Sequence, residues 1–550
     1  MIYNKNDQST TLRKNKAGVA NGLTSKQKGL PTYTLLRYDM IRKIILVVVA
    51  LMFIIQPVPA QTSSDTKIMV HYMPWYQTPD VSGYWGWHWT MDHFNPDNLD
   101  NESHREIASH FYPLTGPYDS KDDDILEYQV LLMKLSGIDG VIVDWYGIEN
   151  FWDYGIINQS TQALFHYIEM SHLLFSICYE DQTIGNMVTN GHLLPGQVYT
   201  HGQDVMLYLQ DNWFNTNSYL KLSGKPVLLT FGPQYFHQSS DWDTLFSVLD
   251  TLPLFFTLDN RLAPVATGAF PWPPMWASQN GVLTQPALNN YLLNFYQKSA
   301  SWDLLVASAF PGFHDIYSEA GLGFSYGYLD PLDGETFQNT LDSALNHTPE
   351  VIQIVTWNDY GEGTIVEPTT EFGYQYLEMI QDTRRNSIDT TFPFTVEDLK
   401  IPIQLYNLRK SYKGNDEVNQ ILDSVFNLII TGDLQSAVGI IDSLNSLNSI
   451  NDDNINIPGQ YKLSNCYPNP FNSTTTINYF VPEVVPVTIN VYDILGNEIT
   501  TLVNEEVPAG KHKVEFNSHS GEVRNLSSGV YFYRMAAGSF VDTKKFILIK

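Results

Sequence analysis

Residues 124–145 read DILEYQVLLMKLSGIDGVIVDW, and this stretch contains the two units from which the fold is predicted. Its first half, residues 124–135, places apolar side chains at helical spacing. Its second half, residues 140–145, is a short apolar run of the kind that forms a fully buried strand. A helix followed by a buried strand is typical of an α/β protein with a parallel sheet.

The same alternation extends over residues 66–390. Further helices are predicted at 161–173, 204–212, 288–297 and 335–346. The eight predicted strands are 68–73, 140–145, 174–178, 227–231, 254–258, 304–309, 324–329 and 352–357. Eight strands with intervening helices predict a (β/α)8 TIM-type barrel. A doubly wound open sheet is the alternative, and it is weakened because no glycine-rich phosphate motif follows any strand.

Composition excludes several classes of protein. The chain has 550 residues, of which 43% are hydrophobic, so it can bury large cores and form two to four domains. Its net charge of -28 argues against nucleic acid and anionic membrane surfaces as partners. Two cysteines, Cys178 and Cys466, are too few for a disulfide scaffold or for a cysteine zinc site.

Residues 1–60 are predicted to be a leader and signal peptide. The apolar run IILVVVALMFII at 44–55 follows Arg42 and Lys43 and precedes a small-x-small pattern that ends at Ala60. Twelve apolar residues are too few to span a bilayer, so we expect cleavage after Ala60 and no membrane span in the mature chain. An uncleaved membrane anchor is the alternative.

The chain after the barrel differs in composition, because every tryptophan lies between Trp75 and Trp357. Residues 395–450 have helical periodicity and are predicted to be a helical connector. Residues 451–460 form a polar linker. Residues 461–550 alternate apolar and polar positions between turn signals, with strands predicted at 475–481, 487–492, 513–516, 530–535 and 544–549. This pattern predicts a small β-sandwich.

Aromatic rings and carboxylates cluster where the predicted barrel strands end, which is where barrel active sites are built. Sugar recognition needs this combination, because rings stack on apolar sugar faces while carboxylates and amides bind hydroxyl groups. The loop YWGWHW at 84–89 adds further rings. The alternative is that these rings only plug the top of the barrel. The predicted substrate-binding residues are His71, Tyr72, Trp75, Tyr76, Trp87, His88, Trp89, Asp144, Trp145, Tyr146, Glu180, His314, Trp357 and Asn358.

Asp359 and Glu362 follow the last predicted strand in a turn bordered by glycines. Their spacing can bring both carboxylates into one cleft. Glycosidic cleavage needs such a pair, one group to protonate the leaving oxygen and one to act as nucleophile or base. We therefore predict these two as the catalytic residues. The alternative is a structural pair that caps the following segment.

Three of these motifs resemble glycoside hydrolase families 71 and 99: HYMPWY at 71–76, the tryptophan-rich loop, and TWNDYGEGTIVEP at 356–368. The resemblance implies a (β/α)8 enzyme that cleaves α-glucan or α-mannoside with no metal or organic cofactor. It implies that Glu362 is the acid/base and that Asp359 occupies the position of a glutamate that assists attack by the sugar's own 2-hydroxyl. Asp359 is one methylene shorter than that glutamate, which shifts its carboxylate by about 1.5 Å.

The C-terminal region resembles the type IX secretion sorting domain. The motifs are NCYPNPFN at 465–472, VYDILG at 491–496, LSSGVYFY at 526–533 and KKFILIK at 544–550. The resemblance implies that residues 461–550 engage the type IX secretion machinery, and that the protein is secreted or held at the outer-membrane surface. A carbohydrate-binding sandwich is the alternative.

The main prediction is a secreted, retaining endo-α-glycosidase acting on a polysaccharide or oligosaccharide. A non-catalytic carbohydrate-binding protein on a degenerate barrel and a glycosyltransferase are the alternatives. Export argues against the transferase, because nucleotide-sugar donors are not available outside the cell. No metal site is predicted, because the histidines lack ligand spacing.

Overall fold

The structure, a computed structural model, describes residues 66–451, 461–464, 466, 468–518, 526–538 and 540–548. The predicted leader and signal peptide at 1–60 lie outside the described residues, as does the predicted linker at 451–460 apart from residue 451. No helix in the described ranges is both long and apolar enough to cross a bilayer.

Eight parallel strands form a nearly closed barrel, which confirms the predicted fold class. Neighbouring strands pair in the order β6-β5-β4-β3-β2-β1-β8-β7. Between β6 and β7, the Ser308 hydroxyl donates a hydrogen bond of 2.7 Å to the carbonyl of Pro271. The strands are β1 (Lys67–Tyr72), β2 (Gly140–Trp145), β3 (Leu174–Tyr179), β4 (Lys225–Thr230), β5 (Leu254–Leu258), β6 (Gly268–Phe270), β7 (Val306–Ala309) and β8 (Val351–Ile354).

One predicted barrel strand was wrong and another was missed. The run at 324–329 is not in the barrel, and only Tyr328–Leu329 is extended, paired antiparallel with Phe313–His314. The barrel position belongs to Gly268–Phe270, which pairs with β5. Three residues followed by a proline-rich segment give too short an apolar run to be recognised as a strand.

Close packing between β2 and β3 explains why residue 140 is a glycine. Every residue of β2 is buried, as expected for a parallel strand covered on both faces. A Cβ on Gly140 would lie 2.0 Å from the carbonyl oxygen of Leu174 on the neighbouring strand. Only glycine fits at this position, and the register between β2 and β3 starts there.

Helices surround the barrel. Helix α1 begins with an Asp122 cap whose carboxylate accepts the Asp124 N–H, and it ends at Gly137 in the left-handed conformation. The helices around the barrel are α1 (Asp123–Ser136), α2 (Tyr154–Ser171), α3 (Gln182–Thr189), α4 (Val198–Leu209), α5 (Ser239–Phe246), α6 (Gln285–Ser299), α7 (Glu335–Leu345) and α8 (Gln375–Thr383).

The segment predicted as a connector forms three more helices, α9 (Ile401–Ser411), α10 (Asp416–Thr431) and α11 (Leu434–Asn451). Its apolar residues belong to the same core as the barrel. Arg409 on α9 donates to both carboxylate oxygens of Glu127 on α1, at 2.8 and 3.0 Å. The helices therefore extend the barrel core rather than forming a separate core.

Two antiparallel sheets form the C-terminal region, as predicted. One contains β9, β10 and β13, and the other contains β12, β11, β14 and β15. The sequence prediction missed β9, which has two residues, and β12, whose outward positions are largely charged or polar. The strands are β9 (Lys462–Leu463), β10 (Thr474–Val481), β11 (Val485–Tyr492), β12 (Glu498–Val507), β13 (Gly510–Asn517), β14 (Gly529–Ala537) and β15 (Phe540–Leu548).

Candidate functional site

A cavity of about 290 Å³, which we call the central cavity, opens where the barrel strands end. Carboxylates from three places meet in it: Asp144 at the end of β2, Glu180 after β3, and Asp359 and Glu362 after β8. Because parallel strands end at the same rim of a barrel, residues distant in sequence converge there. Of the residues predicted from sequence, the cavity brings together His71, Trp75, Trp87, His88, Asp144, Tyr146, Glu180, Asp359 and Glu362.

The tryptophan-rich loop forms an aromatic wall of this cavity. The ring of His88 stacks on Trp75 with centroids 4.2 Å apart and planes 7° apart. The rings of Trp87 and His88 meet edge to face with centroids 5.1 Å apart, and Trp87 is 41% exposed, so it is accessible to a ligand. Burial lowers the pKa of His88, opposed by the nearby Asp153 carboxylate at 3.6 Å. The wall can therefore stack against the apolar face of a sugar.

The turn after β8 fixes Asp359 and Glu362 in the same cavity. The Thr356 hydroxyl accepts the Asp359 N–H at 2.8 Å, and one carboxylate oxygen of Asp359 accepts the Glu362 N–H at 3.1 Å. The hydroxyl of Tyr317 lies 3.5 Å from a carboxylate oxygen of Glu362. Asp359 therefore braces the turn with one oxygen while its side chain still lines the cavity.

Burial raises the pKa of each of these carboxyl groups. Burial raises the pKa of Asp359 to about 7, opposed by the backbone N–H groups of Glu362 and Gly361. Burial is also the largest cause of the raised pKa values of Asp144, Glu180 and Glu362, and a neighbouring carboxylate raises each further. No lysine or arginine lines the central cavity within the described ranges. A proton donor is therefore available near neutral pH.

His71 lies deeper in the barrel. Burial lowers its pKa to about 3, so it is neutral, and its ring meets the edge of Trp272 at 4.9 Å. Among the described residues, His71, Asp144 and Cys178 form the one group whose ligand atoms lie within 4.8 Å of one another, a spacing a metal ion could bridge. Burial raises the pKa of the Cys178 thiol, so without an ion it remains a protonated, weak ligand.

Two predicted residues, Tyr72 and Trp145, do not line the cavity, because side chains alternate between the two faces of a strand. His71 and Asp144 point into the barrel, so their neighbours Tyr72 and Trp145 point outward to the helices. The Tyr72 hydroxyl donates to Gln129 at 2.7 Å, and the Trp145 indole donates to Asn158 at 3.1 Å. Both rings hold helices against strands and lie outside the central cavity.

Four more predicted residues are buried and do not line the cavity. The Asn358 amide accepts from and donates to the backbone of Met73, at 2.8 and 3.0 Å, which ties β1 to the turn after β8. The Tyr76 hydroxyl donates to the carbonyl of Asn358 at 2.8 Å. Trp89 and Trp357 are completely buried. These side chains support the site without lining it.

His314 also lies outside the central cavity. Its ring stacks on that of His110 with centroids 3.7 Å apart. It lines a separate cavity of about 320 Å³ between the loop after β7 and the start of α8. The sequence placed it near a strand end, but the loop after β7 turns its ring away.

Sequence reasoning missed five aromatic residues that line the central cavity: Phe231, Trp272, Tyr317, Phe324 and Tyr326. Tyr317 touches Glu362, and burial together with the charges of Glu362 and Asp359 raises the pKa of its hydroxyl. Trp272 follows β6, the strand that was not predicted, so nothing in the sequence reading placed it at the barrel rim. The loop after β7 carried no motif that singled out Tyr317.

Glu367 is a further buried carboxyl group, 1% exposed. Its oxygens accept hydrogen bonds from Tyr118 and Gln129, each at 2.7 Å, and from Tyr360 at 2.9 Å. Burial raises its pKa to about 7, opposed by these donors. Unlike Asp359, it does not line the central cavity, and its bonds join α1 to the turn after β8.

The barrel is similar in sequence to glycoprotein endo-α-1,2-mannosidases. A glycoprotein endo-alpha-1,2-mannosidase-like protein of Mus musculus is 22% identical over 382 residues, which cover 59% of this chain and 75% of the relative. A glycoprotein endo-alpha-1,2-mannosidase of the same organism is 23% identical over 335 residues, covering 54% of this chain and 66% of the relative. The GH99 endo-alpha-mannosidase structure from Bacteroides thetaiotaomicron is 20% identical, covers 59% of this chain and 98% of its own, and has a TM-score of 0.44.

Residues 465–550 match the family described as the secretion system C-terminal sorting domain. This match identifies the region that the sequence analysis assigned to export, and it indicates secretion through the type IX system to the cell surface or the medium. The chain therefore joins a barrel that is similar in sequence to glycoprotein endo-α-1,2-mannosidases to a C-terminal region that matches the secretion sorting family.

Proposed function

We propose that this protein is a secreted glycoside hydrolase that cleaves α-mannoside linkages within a glycan, with retention of configuration. The observation that carries the proposal is the pair Asp359 and Glu362, which lie on one turn and line one cavity with an aromatic wall. Such a pair is the chemical requirement for glycosidic cleavage. The names of the relatives support mannose as the sugar.

Glu362 acts as the general acid. Burial and the neighbouring Asp359 raise its pKa, so it holds a proton near neutral pH and can deliver it to the leaving glycosidic oxygen. The Tyr317 hydroxyl at 3.5 Å is close enough to orient the Glu362 carboxyl group.

Asp359 acts as the base. Once ionised, its carboxylate removes the proton of the sugar 2-hydroxyl, whose oxygen attacks C1 while the C1–leaving-oxygen bond breaks and Glu362 gives up its proton. Glu362, now ionised, then removes a proton from water, which attacks C1 and reopens the 1,2-anhydro ring. The sugar oxygen regains its proton from Asp359. Two displacements at C1 give net retention.

The test is hydrolysis by the purified protein of soluble α-mannan and α-glucan, with mass analysis of products and NMR of the first-formed anomer. We expect oligosaccharides from α-mannan and an α-anomer first. Products from α-glucan alone would contradict the assignment of mannose, and a β-anomer would contradict retention. Glu362→Gln is the inactive control, and Glu335→Gln, exposed at the start of α7, is the matched control.

A second candidate is a carbohydrate-binding protein without turnover. It is favoured by the use of one Asp359 oxygen to brace the turn, because a carboxylate held in this way has less freedom to reach a sugar. Glycan binding that persists without any product from either polysaccharide would support this alternative.

A further inference from the structure

A second cavity, of about 680 Å³, lies beside the barrel rim between the end of β5 and helix α6. We call it the Trp276 pocket. Its lining includes Trp276, Tyr291, Asp259 and three amide side chains of α6, Asn290, Asn294 and Gln297. It is lined by none of the residues of the central cavity.

The aromatic part of this pocket is the exposed ring of Trp276, which is supported by Tyr291. Trp276 is 74% exposed, an unusual state for so large an apolar side chain. Tyr291 meets its edge with centroids 6.0 Å apart. The Tyr291 hydroxyl donates to the Asp259 carboxylate and accepts the Trp272 N–H at 3.2 Å, so the support is held from two sides.

The polar part is a row of amides. Asn290, Asn294 and Gln297 are spaced by four and three residues, so they share one face of α6. All three are exposed, and within the described part of the chain none makes a side-chain hydrogen bond. An amide offers both a donor and an acceptor, which is what a sugar hydroxyl needs.

The charges of the pocket are already engaged. Asp259 accepts from Tyr291, and the Lys298 ammonium group donates to Asn260 at 3.0 Å. Asp259 and Lys298 are the charged residues of the described lining; their charges are opposite, and, against the effect of burial, the Lys298 charge acts to lower the pKa of Asp259, so the pocket has no net positive charge to favour a phosphate or carboxylate ligand. A flat ring beside neutral amides matches a neutral ligand with one apolar face and many hydroxyl groups.

One short segment joins this pocket to the central cavity. Trp272 lines the central cavity, and Trp276 follows four residues later in the same connection after β6. Both sites thus lie on the side of the barrel where strands end.

From this arrangement we propose that the Trp276 pocket is an accessory glycan-binding site that holds the α-mannan chain away from the bond being cleaved. The choice of α-mannan rests on the proposed function, whereas the site itself rests on the pocket chemistry.

The test measures binding of the full protein to α-mannan by affinity electrophoresis, with Glu362→Gln as the parent so that no substrate is consumed. Adding Trp276→Ala should weaken binding about 3- to 10-fold, the range expected for loss of one stacking ring. Asn294→Ala should weaken it less. Leu293→Ala is the matched control, because Leu293 is 55% exposed on the same helix but does not line the pocket.

Equal binding by the parent and Trp276→Ala would overturn the proposal, as would an equal loss with Leu293→Ala or no retardation of the parent by α-mannan. In the active protein, Trp276→Ala should lower the ratio of kcat/KM on α-mannan to kcat/KM on α-mannotetraose. An unchanged ratio would also overturn it. If the unsubstituted protein binds α-mannan through Trp276 yet releases no product, the proposed function fails while the accessory site stands.

Discussion

The barrel and the C-terminal sandwich differ in how many polar side chains they bury. In the described part of the sandwich, the buried polar residues are Thr475 and Ser518, and the core is otherwise apolar. The barrel buries many carboxyl groups, and a buried oxygen of Asp144 has no hydrogen-bond partner. A domain that only has to fold and be recognised can avoid the free-energy penalty of burying such groups, whereas the proton transfer proposed for the barrel requires them.

The barrel also contains both kinds of buried carboxyl group. Asp181 accepts three backbone N–H groups, from residues 234–236, at 2.7 to 2.8 Å. Glu367 is equally well satisfied by three side-chain donors. Asp144, Glu180, Asp359 and Glu362 instead face one another across a cavity. The acids with three hydrogen-bond donors hold parts of the fold together, whereas the four acids of the central cavity have fewer donors and line the space that a ligand would occupy.

The largest expected effect is that of Glu362→Gln. The amide keeps the shape but cannot donate a proton as an acid, so kcat should fall about 10²- to 10⁴-fold. Thermal unfolding should stay close to that of the unsubstituted protein. Steady-state kinetics and melting curves on the same sample test this prediction. Wild-type activity in the variant would remove Glu362 from the mechanism.

Asp359→Asn should lower kcat/KM by at least about 10², equivalent to roughly 2.7 kcal/mol of transition-state stabilisation. The physical reason is the loss of the base that accepts the 2-hydroxyl proton. If Asp359 only braces the turn, turnover per folded molecule would stay unchanged and Tm would drop instead. Asp359→Glu, which restores a carboxylate with longer reach, is the companion variant.

The pH profile of kcat/KM should be bell-shaped. Because the pKa of Asp359 is about 7, its ionised fraction and the rate should rise with pH through about 7. The rate should fall again at higher pH, as Glu362 loses the proton that its raised pKa retains. Initial rates between pH 4 and 10 measure both limbs, which belong to the coupled pair. A flat profile between pH 4 and 7 would contradict the role of Asp359.

Glu367→Gln tests the role of a buried carboxyl group whose oxygens accept three hydrogen bonds. One acceptor oxygen becomes a donor NH2, so either the two tyrosines or Gln129 would face another donor. Loss of one buried hydrogen bond should lower the free energy of unfolding by about 1–3 kcal/mol. Denaturant unfolding measures it, and turnover per folded molecule should change less than for Asp359→Asn. A large loss of turnover with unchanged stability would show that Glu367 acts in catalysis rather than in holding the fold together.

The native Glu367 carboxyl group also predicts how stability depends on pH. Its folded pKa of about 7 lies above the usual value of 4.5, so the folded state binds more protons than the unfolded state. The contribution of this group is therefore full below about 4.5 and is lost as pH rises to about 7. Glu367→Gln should remove this slope from the difference between the two unfolding curves.

The smallest expected effect is removal of the sandwich. In the described residues, the sandwich has an apolar core of its own and contributes no residue to the central cavity. A chain ending at residue 460 should keep kcat/KM within about twofold, measured on α-mannotetraose, but should no longer be exported. A large loss of activity would show that the two regions depend on each other.

The sequence predicted the barrel because most of its strands are long, apolar and buried on both faces. Seven of the predicted strands overlap barrel strands in the structure. Gly268–Phe270 was missed because three residues leave no periodicity to detect. The run at 324–329 was misassigned because its aromatic residues suggested a core strand, whereas Phe324 and Tyr326 line the central cavity and are about half exposed.

The site was predicted only to the level of strand ends. Successive side chains at the end of a strand point alternately into the barrel and out toward the helices. That is why His71 and Asp144 line the cavity while Tyr72 and Trp145 do not. The sequence motifs at the strand ends include residues of both kinds, so the prediction did not separate them. Tyr317 and Trp272 come from connections whose path only the folded chain defines.

Among the residues that the structure describes, neither lysine nor arginine lines the central cavity, and this has a practical consequence for inhibition. A pocket lined by several carboxyl groups, without a lysine or arginine beside them, attracts small protonated amines when the carboxyl groups are ionised. Buffers built on amines should compete with the glycan, most strongly at a pH where Asp359 is ionised and the amine is still charged. Sugar analogues with nitrogen in place of an oxygen should gain affinity over neutral sugars for the same reason.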